Sequence, residues 1–484
     1  MTLDRRVVVL VTAAGALCLS VVVLAASSHH GLAVSPDSVS YLRAADDLTA
    51  GRAPTDARGD PFVAWPPLYP ALVAATAILT GQSAPAAART LNGILVVVLV
   101  VVFAGAVLRL VAHRSLQLVA VGAVALAPAV LGMAVSALSE LLFAVIALAA
   151  LWAVAESRRS GSWRLLTAAA GLAAAASLTK YVGVVVIGVG TCSLLPRRRV
   201  ALTFSALASF PLGLWLVHNR LVGGTTTGIR EVGPSAGGVM RPVAETAGNW
   251  LAPGAPIPAL LGVAMAALVG WAVARAVRVD RQTGASPLPF CLFVVGYPLA
   301  LVVLAAVVGF DPVSHRLLAP VWPPLVLVGA IALDDRLTAT SPAGSAPRTG
   351  LLVGAAALWM VAAGVVVAHD ASRLDAEGGG YGSSRWDDSA LLAITGALPR
   401  DATVASNAPY PLAFRTGRTA LGADEARPGT LLAWFDDPER SPTTPGPRRV
   451  PTSEVAARVG GELRLERVVD DGRLFLVVHR AAPG

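Results

Sequence analysis

Charge is scarce in this chain. Of its 484 residues only 14% are charged and 55% are hydrophobic, and the mean hydropathy is +0.66. A soluble protein of this length needs far more polar surface, so a globular, water-soluble enzyme is excluded. Cysteine is nearly absent as well. Cys18, Cys192 and Cys291 each sit inside an apolar run, which leaves no disulfide framework and no CxxC pair. Also missing are an HExxH, a DxD in the segment 27–89, and a glycine-rich phosphate loop ahead of a helix. No cofactor is therefore expected, with a divalent metal left open. Strict polar–apolar alternation is missing too, which excludes a membrane β-barrel.

What the chain does have is long uncharged runs, each near the ~20 residues that cross a bilayer. They predict a polytopic α-helical membrane protein. Eleven spans can be drawn: 7–26, 90–108, 115–134, 140–155, 163–179, 181–196, 200–217, 257–274, 288–308, 317–333 and 350–368. The chain divides into a membrane domain, 1–370, and a small extracytoplasmic α/β domain, 371–484. The segment 27–89 forms a long first loop outside the membrane.

The arginines set the orientation. With the N-terminus in the cytoplasm, 15 basic residues fall in short cytoplasmic segments and nine in the longer outer loops, as the positive-inside bias requires. This holds only if 163–196 is a hairpin turning at Lys180. A single long span would place Arg164 and Arg197–Arg199 on opposite faces. Scattered arginines also give no nucleic-acid site; the bilayer is the expected partner.

The first loop reads in detail. Ser35 and Pro36 open a helix that runs to about Ala50 and stops at Gly51. Pro66, Pro67 and Pro70 forbid regular helix around them. The apolar stretch 71–80 is too short to span and predicts an interfacial helix. In the tail, β-like runs occur at 402–406, 430–435 and 474–479.

The polar candidates crowd one membrane face: Asp37, Glu140, Lys180, His218, Arg220, Arg230, Asp311, His315 and Arg316. A transporter would place its polar site near the midplane, and here no ionisable residue lies in a span core. Asp37 shares a helix face with Tyr41; from spacing alone, complementing the helix dipole is the commoner role for such a residue. Glu140 either belongs to a site or caps its helix. Lys180, the one lysine among 37 arginines, either meets a phosphate as a point charge or snorkels to the interface. The outer arginines run against the positive-inside trend, which suits phosphate binding or a general hold on anionic lipid.

These residues in order resemble the GT-C superfamily of membrane glycosyltransferases, in the branch of protein O-mannosyltransferases, aminoarabinose transferases and their bacterial relatives. The resemblance rests on Asp37-Ser38 with Tyr41, Trp65-Pro66-Pro67-Leu68-Tyr69-Pro70, Ala88-Arg89-Thr90-Leu91-Asn92 and Ser139-Glu140-Leu141-Leu142-Phe143. It continues through Leu178-Thr179-Lys180-Tyr181-Val182-Gly183 and Arg316-Leu317-Leu318-Ala319-Pro320. In the tail, Ala405-Ser406-Asn407-Ala408-Pro409 is similar to some bacterial members. One departure stands: the mannosyltransferases carry an Asp-Glu pair where this chain has Asp37-Ser38. The resemblance implies a polyprenyl-phosphate-sugar donor and a hydroxyl acceptor on an envelope glycan, lipid or protein. It implies Asp37 as general base, Glu140 as an orienting group, and Lys180, Arg220 and Arg316 as phosphate ligands. Tyr41, His218, Arg230 and His315 complete the expected substrate-binding set. A flippase for lipid-linked sugars and an envelope sensor without catalysis are the competing readings.

Overall fold

The computed structural model describes residues 5–228, 236–253, 257–284, 286–307, 313–339, 342–438 and 450–480. These form two compact units. One comprises residues 1–26, 63–72 and 89–372; the other comprises 27–62, 73–88 and 373–484.

Every predicted span falls on helix. Along the chain run α1 (Arg5–Ala26), α2 (Pro36–Thr49), α3 (Leu68–Thr80), α4 (Ala84–Leu110), α5 (Arg114–Ala125) and α6 (Pro128–Ala134). They are followed by α7 (Glu140–Ser160), α8 (Trp163–Thr179), α9 (Val184–Leu194), α10 (Arg198–Gly223), α11 (Ala236–Leu251) and α12 (Pro258–Thr283). The last helices before the tail are α13 (Leu288–Val307), α14 (His315–Leu318), α15 (Trp322–Ala339) and α16 (Pro342–Glu377). Among the described residues, eight helical stretches are long and apolar enough to cross a membrane alone, or nine if the bent pair α5–α6 is one span. The count is lower than eleven for physical reasons. Pro128 starts α6 at a 45° bend from α5, α8 has only 17 residues, and α9 and α10 follow each other as one nearly unbroken run.

The tight turn between α8 and α9 is real. Lys180 leaves the helix in an extended conformation, and a short 3₁₀ turn, Tyr181–Gly183, follows. A Cβ on Gly183 would lie 2.3 Å from the Ala176 carbonyl oxygen, so only glycine lets the turn pack against the last turn of α8. Similarly α7 ends where Gly161 takes a left-handed φ of 69°, with Arg158 and Arg159 in its last turn against the negative end of the dipole.

In the second unit, α2 begins as its sequence dictates. Ser35 is the N-cap, Pro36 the first helical residue, and Ser35 and Ser38 cap each other reciprocally. The helix α3 starts earlier than the prolines suggest, at Leu68. Pro70 lies in its first turn, where a missing N–H costs nothing.

The tail adds α17 (Ala390–Ala397), α18 (Pro409–Thr416), α19 (Thr452–Val459) and a five-stranded sheet. The strands are β1 (Val404–Ser406), β2 (Leu421–Gly422), β3 (Leu431–Phe435), β4 (Gly461–Val469) and β5 (Gly472–Arg480), in the order β2-β1-β3-β5-β4. Pairing is parallel on both sides of β1 and antiparallel for β3–β5 and β5–β4. Alternate residues bury opposite faces. Val404, Ala433 and Phe435 meet Trp386, Leu391 and Leu412 on one side. Ala405, Leu432 and Trp434 meet Val455 and Val459 on the other. The edge strand β4 escapes the sequence reading because its residues are largely exposed and charged, as edge strands commonly are.

Candidate functional site

Within the membrane unit three of the singled-out residues converge. Glu140 is 1% exposed. Its Oε1 accepts a hydrogen bond from Lys180 Nζ at 2.8 Å and lies 3.5 Å from Arg316 Nε. Its Oε2 is buried with no hydrogen-bond partner among the described residues. Lys180 spends one of its three N–H bonds there, with its side chain only 13% exposed. Two cations thus meet one buried carboxylate.

Each member is held by a polar residue that touches backbone of another element. Asn92, on α4, donates from Nδ2 to the carbonyls of Ala134 and Ser136 at 2.9 and 2.8 Å. That fixes the short connection leading into Ser139 and Glu140. Next to Lys180, the Tyr181 hydroxyl donates to the Val63 carbonyl at 2.9 Å. It also accepts from Asn219 Nδ2 at 2.9 Å and Trp215 Nε1 at 3.2 Å. Asn219 is fully buried and reaches the Thr226 carbonyl as well, at 2.8 Å. On the third side, the buried Tyr297 hydroxyl donates to the Leu317 carbonyl at 3.1 Å, pinning the short helix that carries Arg316. Tyr297 stacks on Phe143 and Phe293 with ring centroids 5.5 and 5.1 Å apart.

The other expected residues have different surroundings. His218 is exposed and stacks on Trp215 at 5.1 Å. Arg220 is exposed and donates to the Gly224 carbonyl at the end of its own helix. His315 is exposed at the start of α14. Arg230 and Asp311 lie outside the described residues.

In the second unit, Asp37 stands in the first turn of α2, partly exposed, and Tyr41 is buried one turn on, 6.2 Å from the Phe62 ring. Below them Asp47 is buried. Its carboxylate accepts from Arg52 at 2.7 and 3.1 Å and from the Thr55 amide and hydroxyl at 3.0 and 2.5 Å. Burial alone would raise this carboxyl. The hydrogen bonds from Thr55 and Arg52, with Arg43 nearby, outweigh it and hold Asp47 below the usual carboxylate range. Among the described residues no three His, Cys, Asp or Glu side chains gather as a metal site.

Of these supporting residues Tyr297 is absent from the sequence reading; Asn92 and Tyr181 lie in the motifs that carry the resemblance and Asn219 between His218 and Arg220, but none is assigned a role there. The one local signal was polarity inside otherwise apolar runs, as at Asn92 and Asn219.

The architecture is a GT-C-like fold, shown by likeness to solved structures. The structure is similar to ArnT from Cupriavidus metallidurans bound to undecaprenyl phosphate, with a TM-score of 0.61 and 12% identity over 98% of each chain. It is also similar to the Archaeoglobus fulgidus oligosaccharyltransferase in complex with Zn and sulfate. There the TM-score is 0.57 and the identity 10%, over 87% of this chain and 68% of that one. A third likeness, to the arabinofuranosyltransferase AftD from Mycobacteria, has a TM-score of 0.50 and 16% identity, over 99% of this chain and 42% of that one. No protein-family model and no curated protein matches the sequence. At these identities the likeness is one of fold, and the chain is a multi-pass membrane protein of that fold.

Proposed function

We propose that this protein is a membrane glycosyltransferase that moves a sugar from a polyprenyl-phosphate donor to a hydroxyl at the outer face of the cell membrane. One observation carries the reading: Lys180 and Arg316 converge on the buried carboxylate of Glu140, and cations gathered in this way can hold an anion. A phosphate at the membrane surface supplies one. The ArnT structure of the same fold holds undecaprenyl phosphate, which supports a lipid-linked donor.

In this reading the acceptor hydroxyl attacks the anomeric carbon and its proton passes to Asp37. The bond from the anomeric carbon to the phosphate oxygen breaks, and polyprenyl phosphate leaves with the electron pair. Phosphate needs little acid assistance but does need cations where charge develops. Lys180 has N–H bonds left to give, and Arg316 faces the same carboxylate. Glu140 orients the two cations, and its Oε2 can accept from a substrate hydroxyl. Tyr41, His218, Arg220, Arg230 and His315 remain proposed substrate contacts. The proposal includes a cytoplasmic N-terminus and a tail domain on the outer side.

The test is a glycan comparison. A strain lacking this gene should lose one envelope glycan by mass spectrometry, and the wild-type gene should restore it. Asp37→Asn keeps size and polarity but cannot take the proton, so it should fail to restore the glycan while accumulating in the membrane normally; losing a general base costs about 10²–10⁴ in rate. An unchanged glycan profile in the deletion strain sinks the enzymatic reading. Full restoration by Asp37→Asn would return Asp37 to a helix-dipole role.

A further inference from the structure

The other end of α7 carries a second basic site, in a cavity of about 210 Å³. Its walls include Arg158, Arg159, Arg197, Asp280, Ser193 and Ser286. Eighteen helical residues separate Arg158 from Glu140, about 27 Å at the helical rise. That is close to the ~30 Å of a hydrocarbon core, so the cavity opens at the opposite membrane surface from the Glu140 cluster.

The cavity is built rather than incidental. Arg158 Nη1 donates to Asp280 Oδ1 at 3.0 Å and to Ser286 Oγ at 2.6 Å. Asp280 Oδ1 also accepts from the Leu288 amide at 3.2 Å, so one wall joins the ends of α7, α12 and α13. Arg159 pairs with Glu156 at 2.7 Å. Arg197 makes no ion pair among the described residues. Glu156 also pairs with Arg109 at 3.2 Å, so three guanidiniums in the walls face a single lining carboxylate, Asp280, and the cavity carries an excess of positive charge to which Arg197 contributes.

Apolar surface frames the opening. Leu195, between two lining residues, is 54% exposed, and Trp163, two residues past the Gly161 cap of α7, is 58% exposed. An exposed tryptophan at a span end marks the headgroup level of the bilayer. A ligand here meets cations at one end and hydrocarbon at the other.

We infer that this cavity binds the phosphate of an anionic phospholipid headgroup from the leaflet at that end. A phosphodiester brings negative charge to this basic lining. The site is independent of the proposed transfer reaction and uses none of its residues.

The experiment uses the full-length protein reconstituted with phosphatidylglycerol in phosphatidylcholine. Native mass spectrometry then counts the phosphatidylglycerol that stays bound. Wild type should retain it, and the double variant Arg159→Gln/Arg197→Gln should retain roughly tenfold less, both side chains being exposed enough for the fold to survive. Arg198→Gln/Arg199→Gln removes the same charge from the same stretch without touching the walls, and should stay within about twofold of wild type. Equal losses in the two double variants would reduce the cavity to a generally basic rim and overturn the site. No loss in either would overturn it as well. Displacement of the lipid by millimolar inorganic phosphate would assign the site to a soluble anion and overturn the lipid reading.

Discussion

Asp47 shows how much a single side chain can carry in the first loop. Its carboxylate is the hub for Arg52, Thr55 and Arg43, and it titrates below an ordinary aspartate. The sign follows from linkage. A depressed folded value means stability is fully present above the unfolded pKa, about 3.9, and is lost as pH falls through the folded one. Through Asp47, the melting temperature of the solubilised protein should therefore not change with pH near neutrality and should decline below about pH 4. Asp47→Asn should melt lower at neutral pH and lose part of that acid-side decline; equal pH profiles for the two proteins would contradict the assignment. None of this was legible in sequence, where Asp46-Asp47 is only a pair of neighbours facing different ways. Glu140 and Lys180 were legible as an acid at the outer end of a span and a lone lysine. Their contact was not, because 40 residues separate them.

At the scale of elements, sequence pattern carried the helices well and the sheet only in part. Hydrophobic runs place all eleven helical segments because burial in lipid demands them. The strands β1, β3 and β5 announce themselves by apolar content, whereas β2 and β4 depend on partners elsewhere in the chain. Asn407 illustrates the hidden part. Its amide both donates to the Phe435 carbonyl and accepts from the Phe435 amide, each at 2.8 Å. A side chain thus continues the pairing of β1 with β3 beyond Ser406. Removing it with Asn407→Ala should cost about 1–3 kcal/mol, since two buried backbone groups lose their partner. Hydrogen exchange in the full-length protein should show Phe435 and its neighbours on β3 opening faster. Unchanged exchange at Phe435 would mean that other contacts close the strand end.

At the scale of the whole molecule, the fold, the distribution of arginine and the buried cluster all bear on sidedness. In the proposed topology, the eleven expected crossings from a cytoplasmic N-terminus put the tail outside. A reporter active only after export, fused behind Gly484, should therefore be active; activity of a cytoplasm-dependent reporter at that point would invert the proposed site. The ordered motifs made the GT-C fold readable despite identities of 10–16% to the solved structures, because they sit at helix ends where the fold fixes them. The polar props under the cluster were not readable, since Tyr181, Asn219 and Tyr297 bond to backbone carbonyls that no sequence pattern marks.

The central claim is that the Glu140–Lys180–Arg316 cluster receives the phosphate of a polyprenyl donor. Replacing Glu140 tests it poorly, because breaking a buried ion pair costs about 3–5 kcal/mol of stability by itself. Lys180 is the better probe. The affinity of the purified protein for undecaprenyl phosphate in nanodiscs should fall for Lys180→Gln by about 1.5–3 kcal/mol, or roughly ten- to a hundredfold, the worth of a charge-assisted contact. Lys180→Arg should fall between, its planar fork fitting a site shaped for a point charge less well. Equal affinity for wild type and Lys180→Gln would contradict the account and leave the lysine as an interfacial anchor.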